Sequence, residues 1–571
     1  MNAKTRAPSV GIDTDQERNP PPPPTPLDFP QYSLLEDKDI QLTTDFNAIY
    51  KSLLTLKKSQ DINVEHLNAL NLQVATDIDA SCLVPEEYLE GIPPLVWDQA
   101  DNQDVVQSQL MNNGSPYPPI EKYNIAKAEL LLDNDDAYRE VARMPPKSGR
   151  TRVRLTQSRK FWAGLERVAQ YWDASLDEYY DKPVTATGPK LPGLPEDKPS
   201  QSGTENGDKD QMDTSGPPRE KGEKGGYERA YKGRRMGSGN EMPDDIREET
   251  MRGLLEMVAW PFQCQMVIPS VPPRLSVQRL LFPVRQTLVA GRVPLDRQAA
   301  RRGVLEGPLL VVQCRGETSF REGSEPPGHG QRELCDLFRE VGAMLLAAQE
   351  RSREGLGEVK PGDGKWWTTE PRFGGAANEG VTGEAASSEK SSEKSSEKSS
   401  EKSSERSSEK EKDPEPSNGS MHKRSRYTNP LLSSRRTARP RKLTASEKWK
   451  ILEPGPSVWD KKMKYTQIGK PKKSSYDDIF MISHINHHAS ILQLRVHRRY
   501  VESLTNGTSE FTDSGSPEQP WNVLKLRRSK WYDLMDAEQR LELFNGIWKV
   551  FHYLMRETSD KPLIISEVRA A

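Results

Sequence analysis

Apolar residues are scarce in this chain. Of 571 residues, 34% are hydrophobic and 29% charged, and the mean hydropathy is -0.81. An ordinary globular chain carries roughly 45–50% apolar residues. Much of this sequence therefore has too little to bury to offset the entropy of ordering it. Cysteine is nearly absent. Cys82, Cys264, Cys314 and Cys335 stand far apart, with no CxxC pair and no metal-binding spacing. That excludes a disulfide scaffold and suits a reducing compartment. No run approaches the roughly 18 apolar residues of a membrane-spanning helix. The opening MNAKTRAPSVGIDTDQERNPPPPP lacks the apolar centre of a secretory signal. A soluble, intracellular chain is expected, with no membrane partner.

Net charge is also almost lacking, at -2, but the balance hides segregation along the chain. The 45 prolines are clustered and mark linkers. Residues 1–33 form a polar, proline-rich tail with Pro20–Pro24 in a row. It reads as disordered, with a polyproline ligand for an SH3-like or WW-like domain as the sharper alternative. Residues 34–182 read as mainly helical. Phe46, Ile49, Leu53 and Leu56 step by 3-4-3, a second stretch runs from Val64 to Val74, and Phe161, Leu165, Val168, Trp172 and Leu176 form a later apolar face. Residues 84–120 read as loop. Residues 183–243 have almost no apolar content and read as a linker.

Residues 244–375 are the candidate compact module, small and α/β in class. A helix is expected at Asp245–Val258. Strand-like runs follow at Gln263–Ile268, Arg279–Ala290 and Pro308–Arg315, then a helix at Glu333–Arg353. The order is α-β-β-β-α. Residues 376–420 are a linker in which SSEK recurs six times between Ser387 and Lys410, one copy reading SSER. With no apolar face to bury, it reads as a charged spacer open to phosphorylation. Residues 421–473 are basic, with sixteen Lys/Arg against Glu447, Glu453 and Asp460. Residues 474–560 are expected to be a helical pair, one helix over Tyr476–Leu504 and one over Asp536–Glu557. The fold class so reached is mixed, with helical N- and C-terminal modules and a central α/β module between long disordered linkers.

The basic segment is the most informative feature. Lys423, Arg424 and Arg426, then Arg435, Arg436, Arg439, Arg441 and Lys442, form short clusters of the kind nuclear import receptors read. The same charges can neutralise phosphates in salt-sensitive, sequence-independent contact with nucleic acid. Lys147 to Lys160 adds six basic residues and no acid. Trp366 and Trp367, set between Lys365 and Arg372, would either anchor a loop or supply a hot spot for a protein partner.

Catalytic patterns are weak by comparison. The α-β-β-β-α order resembles metal-dependent nucleases of the PD-(D/E)XK type, which place an Asp at one strand end and Glu-x-Lys in the next strand to hold a divalent ion. Here Asp296 precedes a strand carrying Gln313-Cys314-Arg315. Gln supplies no anionic oxygen for a hard cation, and Arg does not act as a base. Glu306 and Glu256 are the only substitutes in view. HINHH puts His484 and His488 four apart, on one face if helical, a spacing open to zinc. There is no HExxH and no partner ligand at the right spacing, so no metal site and no cofactor are expected.

LLFPVRQ, EGPLLVVQCR, GKWWTTEPRFGG and YDDIFMISHINHH resemble segments of a group of filamentous-ascomycete proteins, over roughly residues 230–375 and 440–560. That resemblance implies a fungal origin and carries no chemistry. The expectation is a non-enzymatic nuclear adaptor or accessory subunit of a chromatin- or transcription-associated complex, without a small-molecule substrate. The alternatives are a nuclease of the type named above, active or degenerate, and a cytoplasmic scaffold.

Overall fold

The computed structural model describes residues 19–36, 38–56, 61–89, 109–183, 227–269, 273–302, 304–352, 464–470 and 474–558. The fold mixes helix and sheet. Its centre is a nine-stranded mixed sheet. The strands are β1 (Leu72–Ile78), β2 (Cys264–Val267), β3 (Leu288–Arg292), β4 (Val304–Arg315), β5 (Lys464–Thr466), β6 (Tyr476–Ile485), β7 (His488–His497), β8 (Leu524–Ser529) and β9 (Tyr532–Asp533). The order is β1-β8-β7-β6-β4-β3-β2, with β5 beside β4 and β9 beside β7. The pairs β1–β8, β6–β4 and β4–β5 are parallel, and the other ladders are antiparallel.

Two apolar cores lie on the two faces. Alternation along the central strands assigns each residue to one of them. Phe480 and Ile482 of β6 join the first core with Leu310 and Val312 of β4. Ile479 and Met481 join the second with Val311. The first face is covered by Ile120–Leu130, Arg159–Trp172, Asp244–Ala259 and Ala537–Leu554, called α2, α3, α4 and α6 below. The second is covered by Phe46–Thr55 (α1), Gln331–Ser352 (α5) and the hairpin Arg274–Val277/Leu280–Pro283.

Local chemistry explains several of these elements. The side chain of Asp45 caps α1 through the amides of Asn47 and Ala48. The start of α3 is held from another helix. The Glu129 carboxylate accepts the amides of Thr156 (2.7 Å) and Ser158 (2.8 Å). Helices α3 and α4 touch through glycine. A Cβ at Gly164 would fall 2.7 Å from Thr250 Cα, and one at Gly253 would fall 2.7 Å from the Phe161 amide nitrogen.

Some sequence expectations hold. The helices at Phe46, Asp245 and Glu333 form within a residue or two of their expected ends, whereas those at Phe161 and Asp536 form but stop three to four residues early, at Trp172 and Leu554. Others are corrected. The helix expected over Tyr476–Leu504 is the hairpin β6–β7 followed by a short helix, Arg498–Asn506. Every residue from Ile479 to Ile485 is buried. A strand covered on both faces shows no period of two, and its apolar residues fell by chance on helical spacing. Val64–Val74 is a helix only to Ala69 and then enters β1. Residues 86–89, expected to be loop, are a helical turn. Arg279–Ala290 is two strands belonging to different sheets. The parts of the chain before residue 183, from 264 to 315 and after 464 all contribute strands to the one large sheet.

Arg351, at the end of α5, is 1% exposed. It donates to Asp477 Oδ1 (2.9 Å) and Oδ2 (2.7 Å), to the Pro308 carbonyl and to the Ile468 carbonyl (2.9 Å each). Residues on both sides of the interval 353–463 are therefore clamped together at one side chain.

Candidate functional site

The residues singled out for import and nucleic-acid contact, Lys423 through Lys442, lie outside the described residues, as do Trp366 and Trp367. The Lys147–Lys160 stretch is described, and much of its charge is engaged. Arg150 pairs with Asp136 (2.7 Å) and Asp133 (3.4 Å), Arg152 with Glu140 (2.6 Å) and Lys160 with Glu256 (2.7 Å). An acidic helix, Asn134–Val141, supplies several of these carboxylates.

The carboxylates considered for a nuclease centre are occupied in separate places. Asp296 caps the short helix Arg297–Arg301 from an exposed position. Glu306 pairs with Arg292. Glu256 holds Lys160 and Arg252. Gln313 is buried, with neither amide atom partnered among the described residues. These groups converge on no common point that would hold a cation.

Two polar clusters, one fully buried and one half-buried, occur instead at the end of the central strands. The first is a knot on the second face. Arg315 closes β4, Ser483 lies on β6 and Arg528 on β8, and all three face α5. Arg315 donates to Glu340 (2.9 Å), to Asp336 and to the Ser483 hydroxyl. Arg528 donates to Glu340, and Ser483 donates to the same carboxylate. Exposure is 1% at Arg315, 2% at Arg528, 5% at Asp336 and 0% at Glu340. The Tyr32 ring lies 4.4 Å from the Arg528 guanidinium, and Trp531 lies 5.2 Å from it. Burial works against the charge on Arg315, yet Asp336 and Glu340 outweigh it and hold its pKa above the usual value. Burial pushes the Asp336 carboxyl up to about 6, against the pull of Arg315. Two cations facing two acids nearly balance, which is the condition for keeping charge inside a protein.

The second cluster is the turn between β6 and β7. Asn486 takes φ 55°, a conformation Asn tolerates better than most residues. Its side chain receives a hydrogen bond from Arg247 (3.1 Å) and donates one to the Glu317 carbonyl (3.0 Å). The turn brings His487 and His488 together, with ring centroids 4.2 Å apart. Asp533 stands opposite His488 in the β7–β9 ladder. His488 Nε2 is 3.9 Å from Asp533 Oδ2. One ligand atom from each of His487, His488 and Asp533 falls within 4.8 Å of the others. Trp172 packs on His487 and Phe29 on His488. Burial lowers all three histidines of the motif, His484 to about 3 and His488 to about 4, with His487 well below its usual value. They are neutral imidazoles at pH 7.

The expectation that His484 and His488 share a helical face is therefore corrected. His484 pairs with Ala489 across the hairpin, and His488 pairs with Ile485. Neither nitrogen of His484 finds a partner among the described residues. Asp533 was missed because nothing in its spacing connects it with His487; only the β7–β9 ladder does. The one usable signal was Asn486, a turn residue between two apolar, strand-length runs. The knot was missed because its members lie up to 213 positions apart, with no local pattern.

Comparison with protein-family models, with curated proteins and with solved structures finds no match for this chain. Among the described residues, no helix is long and apolar enough to cross a membrane.

Proposed function

We propose that this chain is a non-enzymatic nuclear adaptor, an accessory subunit of a chromatin- or transcription-associated complex. Its mixed α/β unit docks protein partners, and the basic segment 421–473 provides import and weak contact with nucleic acid. The linkers expected at 183–243 and 376–420 act as tethers, the first only over 184–226, since Pro183 and residues 227–243 belong to the described unit.

The distribution of charge carries this reading. Inside the folded unit, cations are matched by nearby acids, both in the buried knot and along Lys147–Lys160. The sixteen Lys/Arg of residues 421–473 face three acids within their own segment. Residues 421–463 of that segment belong to the interval 353–463, whose two flanks meet at the Arg351 clamp. Unmatched positive charge of this kind suits a receptor groove or a phosphate backbone.

The test is localisation of the tagged full chain in its native cell. Replacing Arg435, Arg436, Arg439, Arg441 and Lys442 by Ala is expected to disperse the protein into the cytoplasm. An unchanged nuclear signal overturns the import role. A wild-type protein that is never nuclear overturns the whole reading.

A further inference from the structure

We propose that His487, His488 and Asp533 form a binding site for one zinc-class divalent metal ion, with two imidazoles and one carboxylate as ligands and a fourth position open to solvent. The site is independent of the adaptor reading above.

Four observations carry it. The first is geometry. The three ligand atoms lie within 4.8 Å of one another. They stand on ordered backbone: a hairpin turn, the first residue of β7 and the last residue of β9. Tetrahedral zinc with ligands at about 2.0–2.2 Å needs only a modest closing of that triangle.

The second is unmet bonding capacity. Nδ1 of His487 and Nδ1 of His488 are buried, with no hydrogen-bond partner among the described residues. A buried polar atom without a partner is costly. Coordination to a metal through Nδ1 itself relieves that cost where no protein donor or acceptor does.

The third is the shell around the ligands. The Met535 amide donates to Asp533 Oδ1 at 2.8 Å, which turns Oδ2 toward His488. The Gln539 side chain accepts from the Asp533 amide at 2.9 Å. The Met535 amide is a partner of the kind that orients a ligating carboxylate before the metal arrives, and Gln539 fixes the backbone that carries it. Trp172 and Phe29 wall the imidazoles with apolar surface. Side-chain exposure of 18% at His488 and 28% at Asp533 leaves a route for a hydrated ion.

The fourth is chemistry. Two imidazoles with one carboxylate suit zinc and its neighbours rather than calcium or magnesium. Three protein ligands leave the fourth coordination position to water or to a side chain brought by a partner.

The experiment uses the full chain, stripped with a chelator and titrated calorimetrically with Zn²⁺, with Co²⁺ absorption as the spectroscopic reporter. Wild type is expected to bind one equivalent. Asp533→Asn preserves shape and hydrogen-bonding atoms, so it is expected to fold. It should weaken binding by at least the roughly 10–100-fold that loss of a mere orienting partner costs. His487→Ala should abolish the site, with circular dichroism confirming that the fold persists. Zinc should raise the melting temperature of wild type by more than that of Asp533→Asn at the same concentration. Equal uptake by wild type and Asp533→Asn overturns the assignment. So does a thiolate-to-cobalt charge-transfer band, which would place the ion on cysteine, and so does the absence of uptake by wild type.

Discussion

Ser483 and His484 are neighbours in the chain and belong to opposite worlds. Ser483 faces α5 and joins a buried knot in which Arg315 and Arg528 meet Asp336 and Glu340. His484 faces the other core, and neither of its ring nitrogens is partnered among the described residues. Both residues are fully buried, so burial is not the difference. Charge inside the protein is kept by matching it with opposite charge from a different element. The imidazole is kept by denying it a proton. One cluster relies on partners and the other on desolvation, and each fails in its own way.

The largest break is expected at the knot. Glu340 is shared by Arg315, Arg528 and Ser483. Glu340→Gln keeps the volume and leaves two buried guanidinium groups facing a single acid. Removing one partner of a buried pair costs about 3–5 kcal/mol. Chemical denaturation should show that loss, and a loss below about 1 kcal/mol, the range of exposed pairs, would mean that the knot contributes little to the fold.

A smaller effect, with opposite signs at the two clusters, is expected with pH. An unfolded His takes up its proton near about 6.5, whereas folded His484 is held down to about 3 by burial. Stability from this group is present above about 6.5 and is lost as pH falls toward 3. Asp336 runs the other way. Its folded carboxyl is raised to about 6 from an ordinary value of about 3.9, so its contribution is present below that value and is lost as pH rises through 6. In metal-free protein, His484→Leu should flatten the acid limb of stability against pH, and Asp336→Asn should flatten the change between about pH 4 and 6. Unaltered limbs in both variants would erase the contrast.

The smallest effect sharpens the comparison from outside. Arg150 pairs with Asp133 and Asp136 at the surface. Arg150→Ala is expected to leave the unfolding midpoint unchanged within error, because Arg150 and Asp133 are about half exposed to water. A clear shift there would show that partner number, and not burial, governs what these arginines contribute.

Legibility followed the range of the physics involved. Helices with one apolar stripe were readable because the pattern is local. Phe161, Leu165 and Val168 are all buried on α3, and Leu337, Val341 and Leu345 on α5. The strand Pro308–Arg315 was readable from its continuous apolar run, and it is the C-terminal part of β4. The hairpin β6–β7 was not readable as strand, because burial on both faces removes the alternation that distinguishes strand from helix. Of the candidate site, HINHH was visible as a motif, but its geometry was assigned to the wrong element.

Composition, the helical stripes and the segregation of charge into residues 421–473 follow from the amino-acid order alone, since each depends on residues within a few positions of one another. The joining of β1, β4, β6 and β8 into one sheet, the seating of Arg315 and Arg528 on Glu340 and the approach of Asp533 to the histidine turn were decided only by the tertiary structure. Those contacts span from 25 to more than 400 positions, and strand order, which no local propensity encodes, is what brings them within bonding distance.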